Sequence, residues 1–152
     1  AEAGLLRPAW PLVIVVAGPL AGTLATKIHP GLLGGVGLLV MSVGCFLLAD
    51  VSPSVGYGGL VARLMLCGFG FGLFQSPNNH LLLSSAPSYR TGGASGMQAT
   101  ARLVGQTTGA ALVALLFYLN GDRAPHAAMW LAGGFTLCGS LVSCSRLRAH
   151  RF

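Results

Sequence analysis

Acidic side chains are almost absent from this 152-residue chain: Glu2, Asp50 and Asp122 are the only three. They fall at the start or in polar breaks, so no carboxylate pair stands inside an apolar stretch. That excludes a paired-carboxylate acid–base site there. Charge of either sign is scarce, at 8% of residues against about 25% in a soluble domain. So few charges do not coat the surface of a water-soluble globule, and so apolar a chain is not disordered. Cysteine is sparse and unpatterned: Cys45, Cys67, Cys138 and Cys144 make no CxxC and no zinc-ligand spacing. A zinc site and a disulfide scaffold are excluded, and all four cysteines read as small buried hydrophobes. Four histidines stand singly, which suggests neither a metal cluster nor a Ser-His-Asp arrangement. No enzyme activity, metal or cofactor is expected.

What the chain does have is apolar length. Of its residues 53% are apolar, and the mean hydropathy is +0.72. A membrane-spanning helix needs about 20 such residues. Five segments qualify, at about 10–26, 31–49, 60–83, 94–119 and 127–147. They are continuous rather than alternating, which speaks for helices over the strands of a membrane barrel. The breaks carry turn chemistry: Lys27-Ile28-His29-Pro30-Gly31, the stretch 50–59, Ser88-Tyr89-Arg90-Thr91-Gly92-Gly93, and Asn120-Gly121-Asp122-Arg123. No loop is long enough for a further domain. The expected fold is all-α: a polytopic bundle of five transmembrane helices forming one membrane unit.

The net charge is +6, but its Lys and Arg residues are strewn among the apolar runs rather than gathered in one patch, so no nucleic-acid partner is expected. Basic residues in short loops set membrane orientation instead. Lys27, Arg90, Arg146, Arg148 and Arg151 would share one face; Arg7, Arg63 and Arg123, with Asp50 and Asp122, would share the other. The first face is the expected cytoplasmic one, C-terminus included. An odd number of spans then starts outside. The opening AEAGLLRPAW has no Met and no basic stretch ahead of an apolar run, so it does not read as a signal peptide, and a processed protein or a fragment is expected.

The 23 glycines are about double the usual share. In lipid, small residues let helix backbones approach. GxxxG spacing occurs at Gly18 and Gly22, Gly31 and Gly35, Gly68 and Gly72, Gly92 and Gly96, and Gly105 and Gly109, which predicts a tightly packed bundle. The run from Gly68 through Gly70 to Gly72 lacks the order and setting of a nucleotide-binding loop. With Pro77, these glycines would supply local helix bending.

Polar groups interrupt two spans. The third contains Gln75-Ser76-Pro77-Asn78-Asn79-His80. Amides at membrane depth cost free energy unless partnered, so Gln75, Asn78 and Asn79 are candidates to line a cavity, against the alternative of bonding neighbouring helices. In the fourth, Gln98, Arg102 and Gln106 repeat at four-residue spacing on one face. This polar stripe either anchors the helix or touches a ligand. Arg102 lies about 12 Å past the start of its span, by helical rise, close enough to reach the cytoplasmic surface with its long side chain.

Two stretches resemble a known family. Gly18-Pro19-Leu20-Ala21-Gly22-Thr23-Leu24, followed by Ala25-Thr26-Lys27 and Pro30-Gly31, resembles the cytoplasmic GxLaDrxG-like loop of the major facilitator superfamily. Gly22, Lys27 and Gly31 carry the likeness; Thr26 stands where Asp is common, and Pro30 intrudes. The stretch Gly68–Phe117 resembles the late helices of multidrug efflux proteins in the fourteen-helix drug:proton antiporter branch. The resemblance implies a C-terminal fragment, the last five helices of that domain, with the third span lining a central cavity and the fourth beside it. It implies export of amphipathic small molecules in exchange for protons by alternating access. The implied partners are the lipid bilayer, a missing N-terminal half, substrate and protons, and the implied location is the cell membrane. The proton-binding carboxylates are expected mainly in the other half. A different reading of the same residues is a free-standing five-span scaffold that assembles through its glycine faces.

Overall fold

The structure is a computed structural model and describes residue 23, residues 28–51 and residues 55–149. The expected first span, and with it Gly22 and Lys27 of the loop signature, lies outside the described residues. Four long helices follow: α1 (Pro30–Ala49), α2 (Tyr57–Ser84), α3 (Thr91–Asn120) and α4 (Ala124–Ala149). Among the described residues there is no strand. Three stretches are long and apolar enough to cross a membrane: Gly31–Ala49, Tyr57–Ser84 and Ser88–Ser145, the last of 58 residues. The third contains both α3 and α4, where the sequence predicts two separate spans. The described residues therefore give three apolar helical stretches rather than a count of five.

Local chemistry sets the helix ends. Pro30 opens α1, and His29 Nδ1 accepts a 3.3 Å hydrogen bond from the Gly31 N–H. Proline has no N–H to lose at a helix start, and the histidine supplies an acceptor to an otherwise orphaned donor. The expected turn over residues 88–93 is shorter, a single 3-10 turn at Ser88–Arg90, and α3 begins at once on Thr91, taking Gly92 and Gly93 into the helix. Gly121 joins α3 to α4 with φ of 53° and ψ of −120°, a conformation that a side chain disfavours. The chain turns back there through Gly121–Arg123.

Helix α1 lies between α2 and α4, and its glycines explain why. Against α2, a Cβ on Gly37 would stand 2.7 Å from both the Gly70 carbonyl oxygen and the Phe74 nitrogen. A Cβ on Gly70 would stand 2.5 Å from the Met41 nitrogen. The two backbones touch, a proximity that only glycine allows. Further along the same antiparallel seam Gly44 faces Cys67, whose thiol reaches the Met41 carbonyl at 3.9 Å.

The seam with α4 is held by serines. Ser42 Oγ donates to the Gly133 carbonyl at 2.8 Å, Ser140 Oγ to the Gly35 carbonyl at 2.8 Å, and Ser143 Oγ to the Gly31 carbonyl at 3.0 Å. Each satisfies a hydroxyl that lipid would not, at about 0.6 kcal/mol per bond in membrane bundles. One end of this seam is closed by the rings of Phe46 and Trp130, 4.9 Å apart. There Trp130 Nε1 donates to His126 Nε2 at 3.3 Å, and that nitrogen lies 3.5 Å from Asp50.

The five-pair glycine expectation is corrected in part. Gly31 and Gly35 face α4, and Gly68, Gly70 and Gly72 are buried. Gly92, Gly96, Gly105 and Gly109 on α3 meet nothing within 4 Å, and no residue of α3 is buried. Cysteine burial also divides. Cys45 and Cys67 are buried, but Cys138 and Cys144 are exposed. Both exposed thiols sit on α4, the outer layer of the three-helix stack.

Candidate functional site

Where α3 approaches α2, the two helices leave a cleft of about 420 Å³. From α2 it is lined by Phe71, Phe74, Gln75, Asn78, Asn79 and Leu82, and from α3 by Met97, Gln98, Ala101 and Arg102. Both sets obey helical arithmetic. On α2 the lining recurs at steps of three and four, which places it on one face. On α3 Gln98 and Arg102 are one turn apart, with Met97 and Ala101 beside them. The three amides expected to line a cavity and two members of the polar stripe thus meet across one space.

A hydrogen bond from Gln98 Nε2 to Asn79 Oδ1 bridges the cleft. This pairing satisfies two amides at once and sets how closely the helices approach at that level. Asn78 and Arg102 have no hydrogen-bond or ion-pair partner among the described residues. Gln75 Oε1 is buried without a partner among them. An acceptor and a cation left open beside two phenyl rings form a polar surface in an apolar wall. Such surfaces hold small molecules, and a volume of this size is in the range that they occupy.

Axial distance from the helix ends follows from helical rise. Gln75 stands nine residues from the end of α2 at Ser84, about 14 Å along the axis. Arg102 stands eleven residues from the start of α3 at Thr91, about 16 Å.

Other expected residues fall elsewhere. Gln106 is exposed and does not line the cleft, although it is one turn from Arg102. His80, the last residue of the polar run in α2, is also exposed and outside it. Pro77 is among the most deeply buried side chains, and α2 continues through it to Ser84 without interruption. Gly70 closely approaches the α1 backbone. Gly31 packs against Ser143 of α4. Among the described residues no group of three His, Cys, Asp or Glu is placed to hold a metal ion.

Three features escaped the sequence reading. Phe71 and Phe74 of α2 and Met97 of α3 belong to the apolar part of the cleft; the period on α2 was visible, but not the facing helix. Arg63 lies six residues inside α2 with Nη1 buried and unpartnered among the described residues, deeper than a position near a helix start suggests. A second cleft, of about 480 Å³ between α3 and α4, is apolar along Gly105, Gly109, Leu112, Leu131 and Phe135. The open Gly105 and Gly109 pair forms part of its wall.

No protein-family profile matches the chain, and no solved structure does. Curated relatives do. The chain is 47% identical over 150 residues to the protein called "Uncharacterized transporter YebQ" of Escherichia coli (strain K12), covering 99% of this chain and 33% of that protein. It is 32% identical to the riboflavin transporter RibZ of Clostridioides difficile, over 76% of this chain and 25% of that protein. It is 25% identical to the multidrug efflux pump LfrA of Mycolicibacterium smegmatis, over 76% of this chain and 23% of that protein. The chain spans a third or less of the length of these relatives. All three carry names of transporters.

Proposed function

We propose that the chain is the C-terminal part of a secondary transporter of the major facilitator type, in the fourteen-helix drug:proton antiporter branch, and that the cleft between α2 and α3 is part of its substrate cavity. One observation carries the reading: Gln75, Asn78, Asn79, Gln98 and Arg102 of two apolar helices converge on one cleft beside Phe71 and Phe74, with Gln75 Oε1 buried and unpartnered among the described residues. Transporters of this architecture bind substrate near the bilayer midplane, between two helical units that rock around it. Amphipathic small molecules suit a wall that is aromatic on one side and amide-bearing on the other. The transporter-named relatives support the class.

In this account the chain spans the cell membrane several times, its C-terminus is cytoplasmic, and its partner is the N-terminal half of the same transporter. Asp50 caps the end of α1, and Asp122 lies in the turn after α3. Neither lines the cleft among the described residues, and in this account proton binding falls mainly to carboxylates of the other half. The scaffold reading has less support, because the glycines of α1 are already filled by α2 and α4 within the chain. Its residual appeal is the open glycine face of α3.

The test is transport by the full-length protein in liposomes, using rhodamine 6G and fluorescein as amphipathic dyes. An imposed pH gradient should drive dye against its own gradient, and a protonophore should abolish that movement. Dye movement that ignores the pH gradient would remove the antiport mechanism. Absence of movement for both dyes would favour the scaffold.

A further inference from the structure

The charge balance of the cleft narrows what it holds. Among the described residues, Arg102 is the one charged residue in its lining, and no Asp or Glu contributes to it. The nearest acid along α3 is Asp122, in the turn that follows the helix, 20 residues and about 30 Å away by helical rise. Asp50 sits at the far end of α1, 3.5 Å from His126. No salt bridge or hydrogen bond of Arg102 occurs among the described residues. A guanidinium on an apolar, membrane-length helical stretch is costly unless an anion faces it. An arriving cation adds repulsion to that cost, and an arriving anion relieves it.

The remaining lining refines the chemistry. Phe71 and Phe74 stand one turn apart on α2, so a flat ring system finds apolar area there. Asn78 offers an amide without a partner among the described residues, and the buried Gln75 Oε1 needs a donor. A guanidinium presents a planar fork of N–H groups that matches a carboxylate at two points.

We propose that the cleft between α2 and α3 selects aromatic molecules that bear a carboxylate, with Arg102 as the counter-ion, Phe71 and Phe74 against the ring, and Gln75 and Asn78 bonding polar substituents. The inference rests on the cleft being a substrate wall. It departs from a preference for cations, which the lining would repel. Arg102 is a specificity-determining residue in this account, and its charge matters more than its shape.

The experiment compares two dyes that share a xanthene ring, fluorescein with a free carboxylate and rhodamine 6G as an esterified cation. Their binding is measured on the full-length transporter in membranes. The wild type should bind fluorescein more tightly. Arg102→Gln should reduce the ratio of fluorescein to rhodamine 6G affinity by roughly ten-fold or more, the scale of one lost hydrogen-bonded charge contact. Arg102→Lys should keep most of the ratio, and its retained binding also reports a folded protein. Tighter binding of rhodamine 6G, with a ratio indifferent to Arg102→Gln, would overturn the anion preference. Should Asn78→Leu still weaken both dyes in that case, the cleft would stand as a site with a different selectivity. Binding of both dyes that ignores Asn78→Leu and Arg102→Gln alike, or no binding at all, would overturn the cleft reading itself.

Discussion

Gly70→Ala should be among the most damaging single-methyl changes in the chain. The added carbon would sit 2.5 Å from the Met41 nitrogen and 2.6 Å from the Gly37 carbonyl oxygen. Both are backbone atoms of a packed helix, which cannot swing aside as a side-chain tip does. Overpacking of this kind costs about 1–3 kcal/mol, and contact with rigid backbone puts it at the upper end. Alanine is otherwise the better helix former by about 1 kcal/mol, so the sign is set by the seam alone. Gly58→Ala, in the first turn of the same helix, meets nothing within 4 Å and should leave stability unchanged or slightly raised. Thermal unfolding of the full-length protein in detergent separates the two. Gly37→Ala breaks the same contact from the other side. Once one variant has opened the seam, the second should cost less, so the double change should cost less than the sum of the singles. Equal tolerance of Gly58→Ala and Gly70→Ala would mean that α1 and α2 do not cross there.

Replacing Asn78 and Asn79 together by leucine should reduce transport by the full-length protein roughly ten-fold or more, with expression unchanged. The two positions should fail for different reasons. Asn78 has no partner among the described residues, so Asn78→Leu should spare stability and lose substrate. Asn79 accepts from Gln98, so Asn79→Leu strands a partly buried amide, at about 1–3 kcal/mol. Adding Gln98→Leu removes the stranded partner and should restore most of that stability, because replacing both members of a bonded pair is nearly neutral. Transport should stay low in the pair variant. Unaltered efflux in the Asn78 and Asn79 double variant would defeat the cavity assignment. Recovery of transport along with stability would make the amides a helix clamp only.

The polar side of the cleft was legible in the sequence because its cost was legible. Gln75, Asn78 and Asn79 stand in an apolar run, and Gln98 and Arg102 repeat at one helical turn. Periodicity places each set on a face, and the expense of polar groups in lipid turns those faces inward. Which two faces meet is a matter of helix pairing, and spacing within one helix is silent on that. The same limit explains the glycines. GxxxG says that a backbone can be approached, and equal spacing marks Gly31 with Gly35 and Gly105 with Gly109. Only the first pair has a neighbouring helix against it among the described residues. The position of α1 between two helices rests on Gly37 and on Ser42, Ser140 and Ser143, none of them in a GxxxG pair that the sequence singled out. Helix ends were more legible, since Pro30, Gly121 and the polar turn at Ser88–Arg90 act locally. The α3–α4 boundary blurs only because its link is a single 3-10 turn in a helical stretch.

Protection of a thiol inside the cleft tests the central claim most directly. In the full-length transporter, with its native cysteines replaced, Asn78→Cys lines the cleft, and His80→Cys lies on the same helix outside it. A maleimide should label both. The transported dye should slow labelling at position 78 several-fold and leave position 80 unchanged. Equal labelling with and without dye at both positions would contradict a substrate cavity between α2 and α3.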